Sequence, residues 1–273
     1  MNTARLKNIA IIILLLANAF LLVLLFSRRA EEREMRERTI EQLSQLYAAS
    51  GVTLDGALVR DFSAAVPAVQ PTRDLAAEQS FAAALLGSVS SVDSGGGIYR
   101  YYCADGLSRG SCLFRASGSI EAALTRTVDD PEQFCADLCA PFDYRVEETL
   151  TDGSRTLITA ARAVGGFPVY NCTLSFTFSG TTLTAVSGSF LPPLETDGSE
   201  TQSLDAVTSL VSFLDYRSAS GAVCTDITAL SGGYLLQSSA TEPMRLVPVV
   251  RVETDVSNYY VNSALPEITR EQT

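Results

Sequence analysis

The residue types that usually carry out catalysis are sparse in this chain. It contains no histidine, and Lys7 is its single lysine. Histidine is the common general base near neutral pH, the usual partner of a serine or cysteine nucleophile, and a frequent zinc ligand. Residues 106–110 (GLSRG) fit the GxSxG pattern of serine hydrolases, but that pattern needs a strand-to-helix elbow and a histidine base. We therefore expect a hairpin turn there and no catalysis.

Two acidic doublets, Asp129-Asp130 and Glu147-Glu148, are the remaining candidates for acid–base chemistry. Adjacent carboxylates on a strand point to opposite faces, which is unsuitable for joint action on one substrate. We interpret both doublets as solvated surface and expect a protein that is not an enzyme, with no small-molecule substrate.

The six cysteines all follow the N-terminal apolar run, and an even number is typical of an oxidising compartment. A zinc site would need four converging thiolates, because no histidine can contribute. Disulfides are the favoured use, and no metal or cofactor is expected. Of the many pairings, we favour Cys103 with Cys112 across a hairpin, Cys135 with Cys139, and Cys172 with Cys224.

An apolar run begins at Ile9 and ends at Phe26, interrupted only by Asn18. About 20 apolar residues in a helix cross a bilayer core, so this run with its flanks predicts a transmembrane anchor at residues 9–27. The small residues around Asn18 resemble a signal-peptidase site, but seven apolar residues follow, whereas cleavage falls after the apolar core. A carboxamide at mid-bilayer can hydrogen-bond a neighbouring helix.

The orientation of this anchor is contested by its flanks. More arginines follow the anchor than precede it, so the positive-inside rule would place the body in the cytoplasm. The arginines that follow the anchor are, however, interleaved with glutamates. The cysteines favour the opposite orientation. We expect a single-pass protein with residues 1–8 in the cytoplasm and an extracytoplasmic body. The net charge of −11 argues against binding to nucleic acid.

The periodicity predicts an α+β fold. Residues 28–50 form a helical stalk, with Ile40, Leu43, Leu46 and Tyr47 on one face. Residues 51–190 form a first unit of helix on antiparallel sheet, residues 191–203 a linker, and residues 204–273 a second, related unit. Within the first unit we predict a helix over 74–86 with Leu75 toward the core, a helix over 120–138 with a break before Pro131, a loop over 90–97, and alternating strands from residue 144. In the second unit, VCTDITAL and GYLLQSS are predicted as two strands.

Several segments together resemble the YycI-type regulatory proteins of Gram-positive bacteria. They are LKNIAIIILLLANAFLLVLLF with the charged stalk behind it, GVTLDGALV, NCTLSFTFSGTTLTAVSGSF, and the ending GYLLQSS…LVPVVRVETDVSNYYVNS. The resemblance implies a single-pass, outward-facing protein with two related α+β units. It also implies association with a sensor histidine kinase that controls cell-wall metabolism, together with a YycH-like protein.

In that family the membrane helix contributes to kinase contact, so the resemblance places the partner-binding surface at Asn18 and its helical neighbours Leu14, Leu15 and Leu22. The alternative is a non-enzymatic envelope binding module or scaffold that recognises peptide or wall material through an open sheet edge. A third hypothesis is a hydrolase that uses carboxylates alone. The sequence contains no carboxylate pair that supports it.

Overall fold

The computed structural model describes residues 3–104, 109–194, 200–239, 244–262 and 267–271. Within these ranges it describes only the backbone at residues 3–17, 19, 23, 25, 26, 30 and 109. The fold is mixed α+β, as the sequence predicted, and one large sheet with a few helices dominates it.

Five α-helices are present in the described ranges: α1 (Thr3–Ala49), α2 (Gly56–Asp61), α3 (Leu75–Leu86), α4 (Pro131–Cys139) and α5 (Ala206–Ser220). Each of the last four begins after an aspartate whose carboxylate accepts backbone N–H groups of the first turn. These capping residues are Asp55, Asp74, Asp130 and Asp205. Asp130, the second residue of an acidic doublet, therefore caps the N-terminus of α4.

The strands before the middle of the chain are β1 (Thr53–Leu54), β2 (Ala64–Pro67), β3 (Val89–Asp93), β4 (Ile98–Cys103), β5 (Arg109–Arg115), β6 (Ser119–Thr127) and β7 (Tyr144–Asp152). Those after it are β8 (Arg155–Val164), β9 (Phe167–Ser179), β10 (Thr182–Ser189), β11 (Thr201–Leu204), β12 (Asp226–Gln237), β13 (Arg245–Thr254), β14 (Asn258–Asn262) and β15 (Ile268–Arg270).

Thirteen of these strands form one sheet in the order β15-β14-β13-β12-β9-β10-β6-β5-β4-β3, with β1 on β12 and the β7–β8 hairpin on β9. Strands β2 and β11 pair separately. The segment before α3 therefore pairs with strands from the C-terminal third, since β1 runs parallel to β12 and β2 antiparallel to β11.

Strand β9 joins the two ends of the sheet. It pairs with β8 along its length, with β10 through its second half, and with β12 at the single register pair Val169 and Tyr234. Asn171 reinforces this junction. Its amide nitrogen donates to the Leu236 carbonyl at 2.8 Å, and its amide oxygen accepts from the Leu236 N–H at 2.7 Å. The side chain supplies hydrogen bonds where the two backbones diverge.

One contiguous cluster of buried apolar side chains runs from the end of α1 to β14. Under α3, four phenylalanine rings pack with centroids 5.0–6.3 Å apart: Phe81, Phe114, Phe142 and Phe190. Under α5, Phe213 packs on Tyr259 at 4.9 Å. A second, smaller cluster on β12–β14 includes Leu235, Val249 and Tyr260.

The predicted helix over 120–138 was wrong in its first half, and the structure has β6 there. Ile120, Ala122 and Leu124 are buried while the residues between them are exposed, which is the alternation of a half-buried strand. The alanines and glutamate of this stretch favour a helix locally, but pairing with β5 and β10 on both sides decides the conformation.

The structure differs from the prediction at three further places. The loop predicted over 90–97 contains most of β3, an edge strand that pairs with β4. VCTDITAL and GYLLQSS contribute to one strand, β12 (Asp226–Gln237), since the two glycines at their junction lie within the ladder to β13. Leu46, predicted on one face with Tyr47, and Leu75, predicted to face the core, are both exposed.

Candidate functional site

Helix α1 is the element that the sequence singled out for partner contact. It runs without interruption from the apolar run through the charged segment to the body, over 47 residues. At 1.5 Å per residue this is a rod of about 70 Å. Continuation of the apolar helix into the stalk agrees with the prediction.

The predicted partner residues all lie on α1. Positions 14, 18 and 22 are spaced four residues apart and share one face of the helix. The side chains of Asn18 and Leu22 are exposed, whereas those of Leu14 and Leu15 lie outside the described residues.

Of the helices in the described part of the chain, none is both long and apolar enough to cross a membrane.

The last turns of α1 are embedded in the body. Ile40, Leu43 and Tyr47, spaced for one helix face, are buried among the core side chains. The Tyr47 hydroxyl donates to the Leu210 carbonyl of α5 at 2.7 Å. Burial holds the pKa of the Tyr47 phenol above its usual range, with Cys224 adding to the increase and Arg217 opposing it. The hydroxyl therefore stays protonated and keeps its role as donor.

The C-terminus of α1 is closed by a glycine motif. The Val52 N–H bonds the Tyr47 carbonyl at 3.0 Å, and the Gly51 N–H bonds the Ala48 carbonyl at 3.0 Å. Gly51 has a φ of 75°, and Val52 is buried, as the Schellman motif requires. The helix therefore ends at a fixed turn directly against the core.

Arg217 of α5 anchors the same end from outside. Its guanidinium donates to the Ser50 carbonyl at 3.1 Å and to the Cys224 carbonyl at 3.4 Å. A cation near the last carbonyls of a helix also interacts favourably with the helix dipole. Sequence reasoning missed this residue, because its contact with Ser50 spans 167 positions. The helix end itself could have been predicted from Gly51 following the apolar positions.

Helix α2 braces α1 from a second side. A β-carbon at Gly56 would lie only 3.1 Å from the Ile40 side chain, so the two helices approach closely because Gly56 has none. Arg60 of α2 also pairs with Glu37 of α1 at 3.0 Å, although both side chains are largely exposed and the pair adds little stability. Together with α5, this contact fixes the direction in which α1 leaves the body.

The cysteines of the predicted disulfide pairs are mostly buried. Cys112, Cys135, Cys139, Cys172 and Cys224 are buried thiols. Cys112 lies opposite Tyr101 in the β4–β5 ladder, and Cys103 lies opposite Val89 of β3, so the hairpin register does not bring the predicted pair together.

Burial raises the pKa of the buried thiols, to about 12 for Cys139 and about 11 for Cys172. A thiol whose pKa is raised in this way is a poor nucleophile and metal ligand at neutral pH. Within the described ranges, no three His, Cys, Asp or Glu side chains are grouped as a metal site requires.

The described parts of the other motifs lie on strands. Residues 106–108 of the GxSxG match lie outside the described residues, while the backbone of residues 109 and 110 belongs to β5. Glu147 and Glu148 are exposed on β7, where the register to β8 shifts between Val146 and Glu148. The shift is a β-bulge, which changes the alternation of side chains on which the sequence argument relied.

Comparison with known proteins gives no family. No known protein family matches the chain, and no curated protein resembles it. Among solved structures, an uncharacterized protein from Eubacterium rectale ATCC 33656 is similar over 77% of this chain and 86% of its own, with 12% identity and a TM-score of 0.41. The C-terminal domain of YpeB from Bacillus megaterium is similar over 75% of this chain and 100% of its own, with 8% identity and a TM-score of 0.31. These values are too low to support an inference about function.

Proposed function

We propose that this protein is a membrane-anchored, non-enzymatic regulator that binds a sensor histidine kinase and adjusts two-component signalling to the cell wall. In this proposal residues 9–27 cross the cell membrane once, the N-terminus is cytoplasmic and the body is extracytoplasmic. The resemblance to YycI-type proteins suggests this assignment, including a YycH-like protein as a second partner and a body of two related α+β units.

The observation that supports the proposal is the construction of α1. The helix that carries the proposed partner residues is continuous with a segment that is packed into the body at three buried positions and closed by a fixed turn. A helix held in this way transmits displacement of the body along its axis. A tether would need only a flexible linker between the membrane and the domain.

The regulatory step would be a shift in the kinase population. A partner can move a two-state equilibrium only by the difference between its affinities for the two states. Asn18, Leu14, Leu15 and Leu22 would contact a kinase helix in the bilayer, where a carboxamide hydrogen bond contributes about 0.6–2 kcal/mol. The body would set the position of that face through α1.

In-cell crosslinking followed by a mild-detergent pull-down of the full-length chain tests partner identity. The bait is compared with a chain bearing a foreign anchor, with Asn18→Leu, and with Phe20→Leu as a matched control from another side of the same helix. We expect a histidine kinase with the native chain and with Phe20→Leu, less of it with Asn18→Leu, and none with the foreign anchor. Recovery of wall enzymes, or of nothing, with either anchor would refute the kinase proposal.

A second measurement separates transmission from tethering. Tyr47→Ala leaves the anchor sequence intact but removes the largest side chain that fixes α1 to the body. If α1 transmits a signal, this variant still captures the kinase while the autophosphorylation of the kinase no longer depends on the body. A variant that retains normal regulation would show that the helix only tethers the body.

A second candidate function is an envelope binding module that recognises an extended peptide. Strand β7 favours it, because β7 pairs only with β8 in the described part of the chain, and most of its side chains are exposed. An extended peptide adds to such an edge through main-chain hydrogen bonds. Replacement of Thr149 by proline on this edge would abolish peptide binding while leaving kinase capture unchanged.

A further inference from the structure

A cleft of about 530 Å³ lies far along the chain from α1, between the start of β7 and the β8–β9 turn. Its walls include Asp143, Tyr144, Arg145 and Arg162, and residues 165–166 form the turn. The lining therefore includes two arginines and one aspartate, in a protein whose net charge is −11. The local excess of positive charge favours an anionic ligand.

Arg162 is the unusual member of this group because its side chain is only 1% exposed. One terminal nitrogen contacts the Asp143 carboxylate at 2.8 Å and the Ala163 carbonyl at 2.9 Å. The other donates to the Pro192 carbonyl at 3.2 Å, and the guanidinium lies over the Tyr144 ring at 5.6 Å. These contacts hold a positive charge inside the fold.

The donor capacity of Arg162 is incompletely used. A guanidinium carries five N–H donors, and the Nε atom of Arg162 is buried with no hydrogen-bond partner. A buried donor without a partner is unfavourable. Arginine matches planar carboxylates in particular, through two parallel hydrogen bonds.

The carboxylate that pairs with the Arg162 guanidinium belongs to Asp143. Its side chain is 62% exposed, although that of Arg162 is almost fully buried. It is also the one non-glycine residue in the described part of the chain with a positive φ, at 54°. Apart from its contact with Arg162, the Asp143 carboxylate is therefore open to solvent.

We propose that this cleft binds a ligand with a free carboxylate, held by Arg162 and Arg145, and that Asp143 is the internal competitor for the same guanidinium. The Gly165-Gly166 turn leaves room beside it, since a β-carbon at Gly166 would meet nothing within 4 Å. The ligand is either a small organic acid or the C-terminal end of a peptide, which share this chemistry.

Calorimetric titration of the full-length chain in mild detergent tests the proposal with three ligands: succinate, N-acetyl-triglycine, and the C-terminal amide of that peptide. Binding of the peptide acid alone identifies a peptide end, and binding of succinate alone identifies a small acid. The amide, which lacks the negative charge, should not bind. Absence of binding by both acids, or equal binding of acid and amide, would overturn the proposal.

Three variants assign the residues. Asp143→Asn removes the competitor and should tighten binding by about tenfold or more, the effect of one charge-assisted hydrogen bond. Arg145→Gln should weaken binding by a similar factor. Arg155→Gln removes the same charge from the exposed far end of β8 and should leave binding unchanged. If Arg162 has only a structural role, Asp143→Asn will lower the thermal midpoint without any gain in affinity, and the proposal fails.

Discussion

Replacing Tyr47 gives the most direct measure of how firmly α1 is fixed to the body. Tyr47 is fully buried, and its hydroxyl makes one hydrogen bond, to Leu210. Tyr47→Phe keeps the ring and removes that bond, at a cost of about 0.5–1.5 kcal/mol. Tyr47→Ala also removes the ring from a packed core, for a total of about 3–5 kcal/mol.

Urea unfolding of the full-length chain in mild detergent measures both values. Because the chain contains no tryptophan, far-UV circular dichroism is the suitable signal. Leu46→Ala is the matched control, since Leu46 precedes Tyr47 on the same helix but is 49% exposed. We expect this control to change the free energy of unfolding by about 0.5 kcal/mol or less.

Hydrogen exchange then locates the effect. If Tyr47 fixes the helix, amides in the last turns of α1 should exchange faster in Tyr47→Ala than the global loss of stability requires, because the docked segment opens by itself. Equal costs for Leu46→Ala and Tyr47→Ala, or unchanged exchange in these turns, would refute the view that the helix is held by this face.

Three further changes test other parts of the structure. Gly51→Ala should cost about 1–2 kcal/mol in urea unfolding, because a side chain in the left-handed region is strained even where space is open. Asn171→Ala should cost about 1–3 kcal/mol, through loss of both hydrogen bonds between β9 and β12; Asn171→Asp, which places a carboxylate oxygen against the Leu236 carbonyl, should cost at least as much, and a negligible cost for either variant would contradict this role. Burial raises the pKa of Glu78 above 4.5 despite its pairing with Arg73, so the folded state binds this proton more tightly than the unfolded state does. The stability that Glu78 contributes is present below pH 4.5 and is lost as pH rises through its folded pKa. The free energy of unfolding of wild type minus that of Glu78→Gln should therefore fall over that interval, and a constant difference would contradict it.

The elements with strong local signals could be predicted from the sequence. The hairpins from residue 144 onward alternate apolar and polar residues and turn at glycines of positive φ, such as Gly153 and Gly180. Helices α3 and α5 start at capping aspartates, and their lengths match the apolar spacing. In β6 the local helix preference of the residues disagrees with the strand pairing, and the pairing with neighbouring strands determines the conformation. A short stretch of sequence does not show which strands will be its neighbours.

The candidate sites depend on long-range contacts that no local pattern contains. Ile40, Leu43 and Tyr47 were identified as one face, but their partners on α5 and the clamp by Arg217 come from distant parts of the chain. Arg162 occupies a strand position that reads as surface in the sequence, and only the fold shows that its charge is buried. Strand register likewise determines which residues face Cys103 and Cys112, and the sequence alone does not show that register.

The pairing of β1 with β12 and of β2 with β11 has a consequence for the order of folding during synthesis. Residues 53–67 have partners that lie more than a hundred positions later, and the contact of Tyr47 with Leu210 spans 163 positions. Local hairpins such as β8–β9 form in microseconds once their residues are available, whereas contacts of long sequence separation form late. The base of α1 therefore cannot dock until α5 and β12 have been synthesised.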